Sequence, residues 1–184
     1  MVAGREFAIA TDFRTGILYE QLMQDPDLEQ KDKIKAAIDL YYGEEFPLDL
    51  TEAMSQIVWF YSCGRDLEKF AGGGGGRGFN GRRLYDYDED AVYFYTAFLS
   101  QYGIDLQDVE YLHWWKFQAM FMGINDDQRL SQIMSYRAVD LAKIKNRAER
   151  DHYKELQMRY KLPDIRTKKQ KQRDVGSMFG VFAP

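Results

Sequence analysis

Apolar residues recur every three or four positions along most of the chain, and glycine, proline or charged residues interrupt each run. This spacing is typical of amphipathic α-helices, whose apolar side chains line one face. The runs predict helices over residues 12–24, 28–42, 50–63, 91–102, 106–122, 127–138 and 139–161. The stretch from Tyr93 to Tyr95 has β propensity, but its neighbours favour a longer helix. The predicted fold is therefore all-α, an irregular bundle of about six to seven helices.

Residues at the predicted helix ends support these boundaries. Asp12 suits an N-cap, and the proline after Asp25 disfavours helical conformation at that aspartate. Residues 49–52, DLTE, have the spacing of a capping box. Gly43 and Gly103 suit the ends of helices, because glycine adopts a left-handed backbone without steric cost.

Three of the predicted helices have one apolar face each, and a fourth is apolar nearly all round. The set expected to face the core is Leu50, Met54, Ile57, Val58 and Tyr61. The apolar sets of the other two helices are Val92, Tyr95, Phe98, Leu99 and Tyr102; and Leu141, Ile144, Ala148, His152, Leu156 and Tyr160, which are spaced for one helical stripe. The fourth segment, 106–122, contains Trp114 and Trp115 among Leu, Phe and Met residues. A helix without a polar face belongs in the centre of a bundle, so we expect this segment there.

A tract of five glycines at residues 72–76 divides the chain. Glycine loses more backbone entropy on ordering than any other residue, so residues 71–83 are predicted to form a flexible loop. The loop would join two halves, 1–70 and 84–163, of a single helical domain 1–163. Pro163 ends the last periodic run, and residues 164–184 are basic and aperiodic, which predicts a mobile, disordered tail.

Composition indicates a globular protein of a reducing compartment. The 184 residues are 45% hydrophobic and 29% charged, with 13 Tyr and 12 Phe. Cys63 is the single cysteine, which excludes an internal disulfide. No apolar run approaches the ~20 residues that a membrane span requires. We therefore expect a soluble, cytoplasmic protein that does not associate with membranes.

The net charge of −4 conceals an asymmetry along the chain. Residues 1–128 carry 23 acidic and 11 basic side chains, whereas residues 129–184 carry 6 acidic and 14 basic ones. Such a chain can bind itself head to tail or present its basic end to an acidic partner; alternatively, the basic end only balances an acidic bundle. The basic run 168–173 is a weak nucleic-acid signal in an acidic protein, so nucleic acid is not an expected partner.

Two Glu-x-x-His pairs are the sharpest indication of chemistry in the sequence. The pairs are Glu110–His113 and Glu149–His152, and two further carboxylates would come from Glu20 and Glu52. Four carboxylates and two histidines on separate helices form a di-metal site, so a helical di-metal carboxylate enzyme is one hypothesis. The opposing interpretation places the first glutamate at a helix N-terminus and the second on a solvated face.

Two other motifs do not indicate an enzyme. Cys63 is expected at a helix end near Arg65, but no third group is positioned to orient it as a nucleophile, so packing is the favoured interpretation. Glycines 73, 75 and 78 fit a phosphate-binding spacing, yet almost any glycine tract does, and no strand precedes them. We predict a protein that is not an enzyme and binds no cofactor.

Aromatic and methionine side chains over 93–102 and 114–122 could form an adaptable groove for an apolar helix of a partner. The alternative is that they form the core. Adjacent residues of a helix point in different directions, so Trp114 and Trp115 cannot both face the core. The candidate partner-binding residues are Trp114, Trp115, Met122, Tyr136 and Arg137.

Several short strings together resemble one known family. The most specific is HWWKFQAMF at 113–121, followed by Gly123 and Ile124; the others are DFR at 12–14, YGID at 102–105, IMSYR at 133–137, DLAKI at 140–144 and YKLP at 160–163. With Arg150, His152 and Tyr153, they resemble the phage gene-product-fifteen family of tailed phages and prophages. The resemblance covers most of residues 10–164.

The resemblance implies a role in phage tail assembly. Genes of this family usually lie between those of the major tail protein and the tape-measure protein of siphophages, a position typical of tail assembly chaperones. It implies a chaperone that binds the tape-measure protein in the host cytoplasm, with the major tail protein and a second tail assembly chaperone as further partners. A structural or adaptor component of the tail is the alternative, and the family supplies no catalytic residues.

Overall fold

The computed structural model describes residues 2, 4–65 and 82–165. Within them the chain forms α1 (Phe13–Gln24), α2 (Gln30–Tyr42), α3 (Leu50–Tyr61), α4 (Ala91–Tyr102), α5 (Trp114–Met122), α6 (Arg129–Ala138) and α7 (Arg147–Arg159), with a 3-10 turn at Leu141–Lys143. These residues form no β-sheet, which confirms the predicted all-α class. Residues 71–81 of the predicted glycine-rich loop and residues 166–184 of the predicted tail lie outside the described residues.

Polar side chains cap α1 and α3 as the sequence predicts. Asp12 accepts a hydrogen bond from the Arg14 amide at 3.0 Å, and α1 ends immediately before Asp25. Asp49 accepts a hydrogen bond from the Glu52 amide at 2.9 Å, which satisfies one of the free amides at the start of α3.

The predicted helix 106–122 is shorter in the structure, because its first part pairs with the start of α1. The Trp114 amide donates to the carbonyl of Thr11, and the Phe13 amide donates to the carbonyl of Leu112, both at 2.8 Å. Arg14 donates to the carbonyl of Val109 at 2.7 Å. Backbone groups committed to these contacts are lost to a helix, so α5 begins only at Trp114.

The predicted helix 139–161 is also shorter in the structure, because two capping residues interrupt it. Asp140 accepts a hydrogen bond from the Ala142 amide and opens only a 3-10 turn. Asn146 accepts one from the Glu149 amide at 3.2 Å and caps α7. Asp and Asn favour helix starts over helix interiors, so the periodic apolar pattern across 139–161 overstated the length of the helix.

The side chains that α3 and α4 bury differ from the apolar sets that the sequence pattern indicates. In α3 the buried residues are Ala53, Ile57 and Phe60, and Leu50 is exposed. In α4 they are Phe94, Ala97 and Phe98, whereas Val92 and Leu99 are exposed. Ala53 and Ala97 are buried although their side chains are small, so the size of an apolar side chain was a misleading guide to its burial.

Stacked aromatic rings form the centre of the core. Phe117 of α5 stacks on Phe13 of α1 with ring centroids 5.1 Å apart and on Phe98 of α4 at 4.9 Å. Trp114, also of α5, stacks on Phe117 with ring centroids 5.7 Å apart. Aromatic pairs contribute about 0.5–1.5 kcal/mol each beyond the burial of their area. The expected central position of this segment is therefore confirmed for the buried face of α5.

Candidate functional site

Two tryptophans from different helices form an aromatic surface. Trp59 of α3 meets Trp115 of α5 edge to face, with ring centroids 5.6 Å apart and an angle of 69°. Trp59 is 51% exposed. The Trp115 indole donates to the carbonyl of Phe60 at 2.7 Å, which fixes its ring against α3. The exposed ring of Trp59 therefore rests on a neighbour that is itself held in place.

The end of α3 completes this surface. Gly64 has a φ of 71°, and a β-carbon at this position would lie 3.4 Å from the Trp59 ring and 3.6 Å from the Trp115 ring. The Arg65 guanidinium lies 3.5 Å from the sulfur of Met122, and Met122 is exposed. We call Trp59, Gly64, Arg65, Trp115 and Met122 the tryptophan surface.

Trp59 also lines a cleft, here called the ring cleft, at the edge of the tryptophan surface. The lining residues are Val2, Phe7, Ile9, Tyr42, Gln56, Ile57, Trp59 and Phe60, and the cavity volume is about 130 Å³. An apolar cavity of about 150 Å³ holds one benzene molecule. The ring cleft therefore accommodates a single aromatic side chain and is too small for the face of a helix.

The segment that connects two of the helices lining the ring cleft is acidic. The connection between α2 and α3 carries Glu44, Glu45 and Asp49, and residues 43–52 contain no basic side chain. Burial raises the pKa of the Tyr42 hydroxyl, and the negative charge of Glu52 raises it further. Cationic groups are therefore favoured near this side of the cleft.

The structure brings only two of the predicted partner-binding residues into the tryptophan surface, Trp115 and Met122. Trp114 is fully buried, and its indole donates to the carbonyl of Tyr61 at 2.8 Å. It has no face left for a partner in this conformation, because its ring is committed to the core. Of the adjacent pair, therefore, Trp115 is the partly exposed residue, packed at the edge of the core.

Tyr136 and Arg137 lie on α6, where they serve packing within the chain. The ring of Tyr136 lies 6.1 Å from that of Tyr160. Arg137 forms a buried ion pair with Asp90, with the shortest nitrogen–oxygen distance 2.6 Å, and donates to the carbonyls of Leu84 and Tyr160. These contacts explain both residues without a partner.

The carboxylates and histidines of the di-metal hypothesis do not converge. No three His, Cys, Asp or Glu side chains form a potential metal site within residues 4–65 and 82–165. His113 instead accepts a hydrogen bond from the Trp115 amide and caps α5. Glu20 is held by the hydroxyl of Tyr61 at 2.5 Å. Among the described residues, therefore, the ligand set of the di-metal hypothesis does not assemble.

Cys63 does not have the environment of a nucleophile. Burial raises the pKa of its thiol, and the nearby Arg65 only partly opposes that rise. Reactive cysteines have a lowered pKa, because the thiolate is the attacking species. The favoured interpretation of Cys63 as a packing residue is in keeping with this environment.

The sequence analysis did not identify Trp59, whose half-exposed ring contacts Trp115 in the tryptophan surface. The available signal was its neighbour Phe60: adjacent residues of a helix point in different directions, so one member of this aromatic pair was a candidate for exposure, as with Trp114 and Trp115. The ring cleft had no such signal, because its lining residues come from the segment before α1, from α2 and from α3.

The described residues thus define an all-α protein with a preorganised aromatic surface, and none of their helices has the length and apolar character to span a membrane. The family model described as bacteriophage Gp15 protein matches residues 1–162. The chain belongs to this bacteriophage family, as its resemblance indicated. No curated protein and no solved structure matches it.

Proposed function

We propose that this phage protein is a tail assembly chaperone that binds the tape-measure protein through the tryptophan surface. Binding would take place in the host cytoplasm during tail morphogenesis, before the tail tube forms. The major tail protein and a second tail assembly chaperone are the further partners we propose. The single observation that carries the proposal is the half-exposed Trp59 ring on Trp115, in a chain of a phage family.

The composition of the surface suits a long, apolar and helical client. Tryptophan offers a large contact area at a small cost in side-chain entropy, and methionine adapts to partners of irregular shape. An amphipathic helix places apolar residues at i, i+3, i+4 and i+7, which a shallow aromatic surface can cover. Arg65 adds a cation beside Met122, which suits a client with carboxylates along the edge of its apolar face.

Co-expression with the tape-measure protein of the same phage tests the proposal. The expected result is that the full chain keeps the tape-measure protein in the soluble fraction and copurifies with it. The double variant Trp59→Ala and Met122→Ala should lose the complex. The matched control is Leu18→Ala and Val92→Ala, which removes two other exposed apolar side chains.

Circular dichroism checks that both variants keep the helical content of the wild type. Equal rescue by both variants would overturn the assignment of the tryptophan surface. No rescue by the wild type, with the chain present in finished particles, would replace the chaperone with a structural component of the tail.

A further inference from the structure

The ring cleft is unsuited to a helix and suited to one aromatic ring, so its occupant must be a different kind of segment from the proposed client. The cavity of about 130 Å³ opens between the segment before α1, the end of α2 and the outer part of α3. Its lining is mainly apolar, with Gln56 as a polar side chain. An extended segment that presents an isolated Phe ring meets these requirements.

The chain itself contains such a segment. Residues 175–182 are VGSMFGVF, in which Gly180 and Val181 separate Phe179 from Phe182. Residues 166–173 precede it with five basic and no acidic side chains. We propose that residues 175–182 dock in the ring cleft of their own chain, with one phenylalanine ring inserted.

Charge complementarity favours this occupant. Glu44, Glu45 and Asp49 lie between the two helices that contribute Tyr42 and Gln56 to the cleft. The basic run 166–173 would lie across this acidic connection as the aromatic residues enter the cavity. The Arg5 guanidinium lies 5.0 Å from the centroid of the Phe7 ring, so it places a positive charge beside the lining that the N-terminal segment contributes. The segment therefore has a preferred direction of approach, from the acidic side.

The chain length permits docking within one molecule. The described residues end at Ile165, and the stretch from there to Phe179 spans up to about 46 Å when extended. A compact domain of this size has a radius of gyration of about 15 Å. The segment therefore reaches across the domain without help from a second copy.

Docking would also shield the cleft side of Trp59, which the ring cleft shares with the tryptophan surface. The segment would then compete with a client for this side chain. The docking itself does not rest on the proposed function, so the two can fail separately.

Site-specific photo-cross-linking in the full chain tests the proposal. A short diazirine amino acid at position 181 leaves both phenylalanines intact, and the same amino acid at position 170 is the control. Peptide mass spectrometry should find the cross-links from position 181 on the cleft-lining residues. An equal mixture of ¹⁵N-labelled and unlabelled chains should yield cross-links within one isotope only.

Cross-links elsewhere, or none, would overturn the proposal. Mixed-isotope cross-links to the cleft would overturn docking within one chain and assign the cleft to a second copy.

Charge reversal provides a second measurement. Lys168, Lys169 and Lys171→Glu should lower the cleft cross-link yield by roughly threefold or more, because attraction to the acidic connection is lost. The matched control reverses Lys145, Arg150 and Lys154, three exposed basic residues at or within α7, and should leave the yield unchanged. Equal yields in both triple variants would contradict the role of charge.

Discussion

Gly16 of α1 shows how one residue permits the core to form. Its backbone faces the indole of Trp114, and an added β-carbon would lie 2.2 Å from a ring carbon. Non-bonded carbon atoms do not approach each other this closely, so any residue larger than glycine must displace the Trp114 ring. Trp114 is stacked on Tyr61 at 5.2 Å and on Phe117, which leaves it no room to move.

Gly16→Ala should therefore destabilise the protein despite the higher helix propensity of alanine. Overpacking of a tight core costs about 1–3 kcal/mol, and the 2.2 Å approach to Trp114 places this site at the upper end of that range. The gain in helix propensity is about 1 kcal/mol, so we expect a net loss of about 2 kcal/mol. Urea unfolding measures the difference. Leu18→Ala, on the exposed face of the same helix, is the control and should change stability by less than about 0.5 kcal/mol. An alanine variant as stable as the wild type would refute the contact.

Glu20 is a buried carboxyl that is held by neutral donors. Tyr61 donates to it at 2.5 Å, Tyr85 at 3.3 Å and Gln24 at 2.9 Å. Burial raises the pKa of the Glu20 carboxyl, and these hydrogen bonds only partly oppose the rise. The folded protein consequently favours the protonated form more than the unfolded chain does.

This pKa shift predicts a stability that falls as pH rises. The stabilisation is complete below the pKa of the unfolded chain and is lost as pH rises through the higher pKa of the folded protein, because the folded state binds more protons between them. Urea unfolding between pH 4 and pH 8 should show the free energy of unfolding falling relative to Glu20→Gln, which cannot ionise. Glu89→Gln, at an exposed position, is the control for the loss of one carboxylate charge from the surface. A constant difference between wild type and Glu20→Gln would contradict the raised pKa.

At the scale of elements, one arginine joins three parts of the second half. Arg137 of α6 binds both carboxylate oxygens of Asp90, at 2.6 and 3.0 Å, immediately before α4. It also donates to the carbonyls of Leu84 and Tyr160. The planar guanidinium supplies these donors at once, which an ammonium group cannot do.

Arg137→Lys should therefore be far from conservative. Loss of a partner in a buried pair costs about 3–5 kcal/mol, and we expect about 3 kcal/mol because lysine keeps the charge but not the fork. Thermal and urea unfolding measure the loss. The control is Arg159→Lys on α7, whose pair with Glu155 is exposed and is worth less than about 1 kcal/mol. Similar losses of stability in both variants would contradict the structural role of the Arg137–Asp90 ion pair.

Local signals explain which elements could be predicted. The ends of α1 and α3 depend on residues two or three positions away, as at Asp12 and Asp49, so sequence spacing suffices. The segment 106–113 could not be predicted, because its partners at 11–14 are about a hundred positions away. Periodicity reports the apolar face of a segment but not a backbone contact across the fold.

Two of the strings behind the family resemblance contain residues that make contacts within the fold. DFR at 12–14 binds the segment before α5, and the arginine of IMSYR is the link between α6 and Asp90. Arg14 and Arg137 therefore have structural roles in this chain. The exposed Trp59 lies outside these strings, so the resemblance could not indicate it.

For the whole molecule, the fold class and the family could be predicted from the sequence, whereas the candidate site could be predicted only in part. Trp115 and Met122 were identified from one helix. The contributions of Trp59, Gly64 and the ring cleft depend on the packing of α3 against α5 and the first residues. Surfaces of this kind arise only when separate segments come together.

Purification from phage-producing cells tests the central claim most directly. The full chain, carrying an affinity tag, is recovered before lysis, and the tape-measure protein is quantified by mass spectrometry beside finished particles from the same culture. The account predicts enrichment with the wild type and the Val92→Ala control, loss with Trp59→Ala, and absence of the chain from particles. A tape-measure protein recovered equally with Trp59→Ala, or not recovered with the wild type, would contradict it.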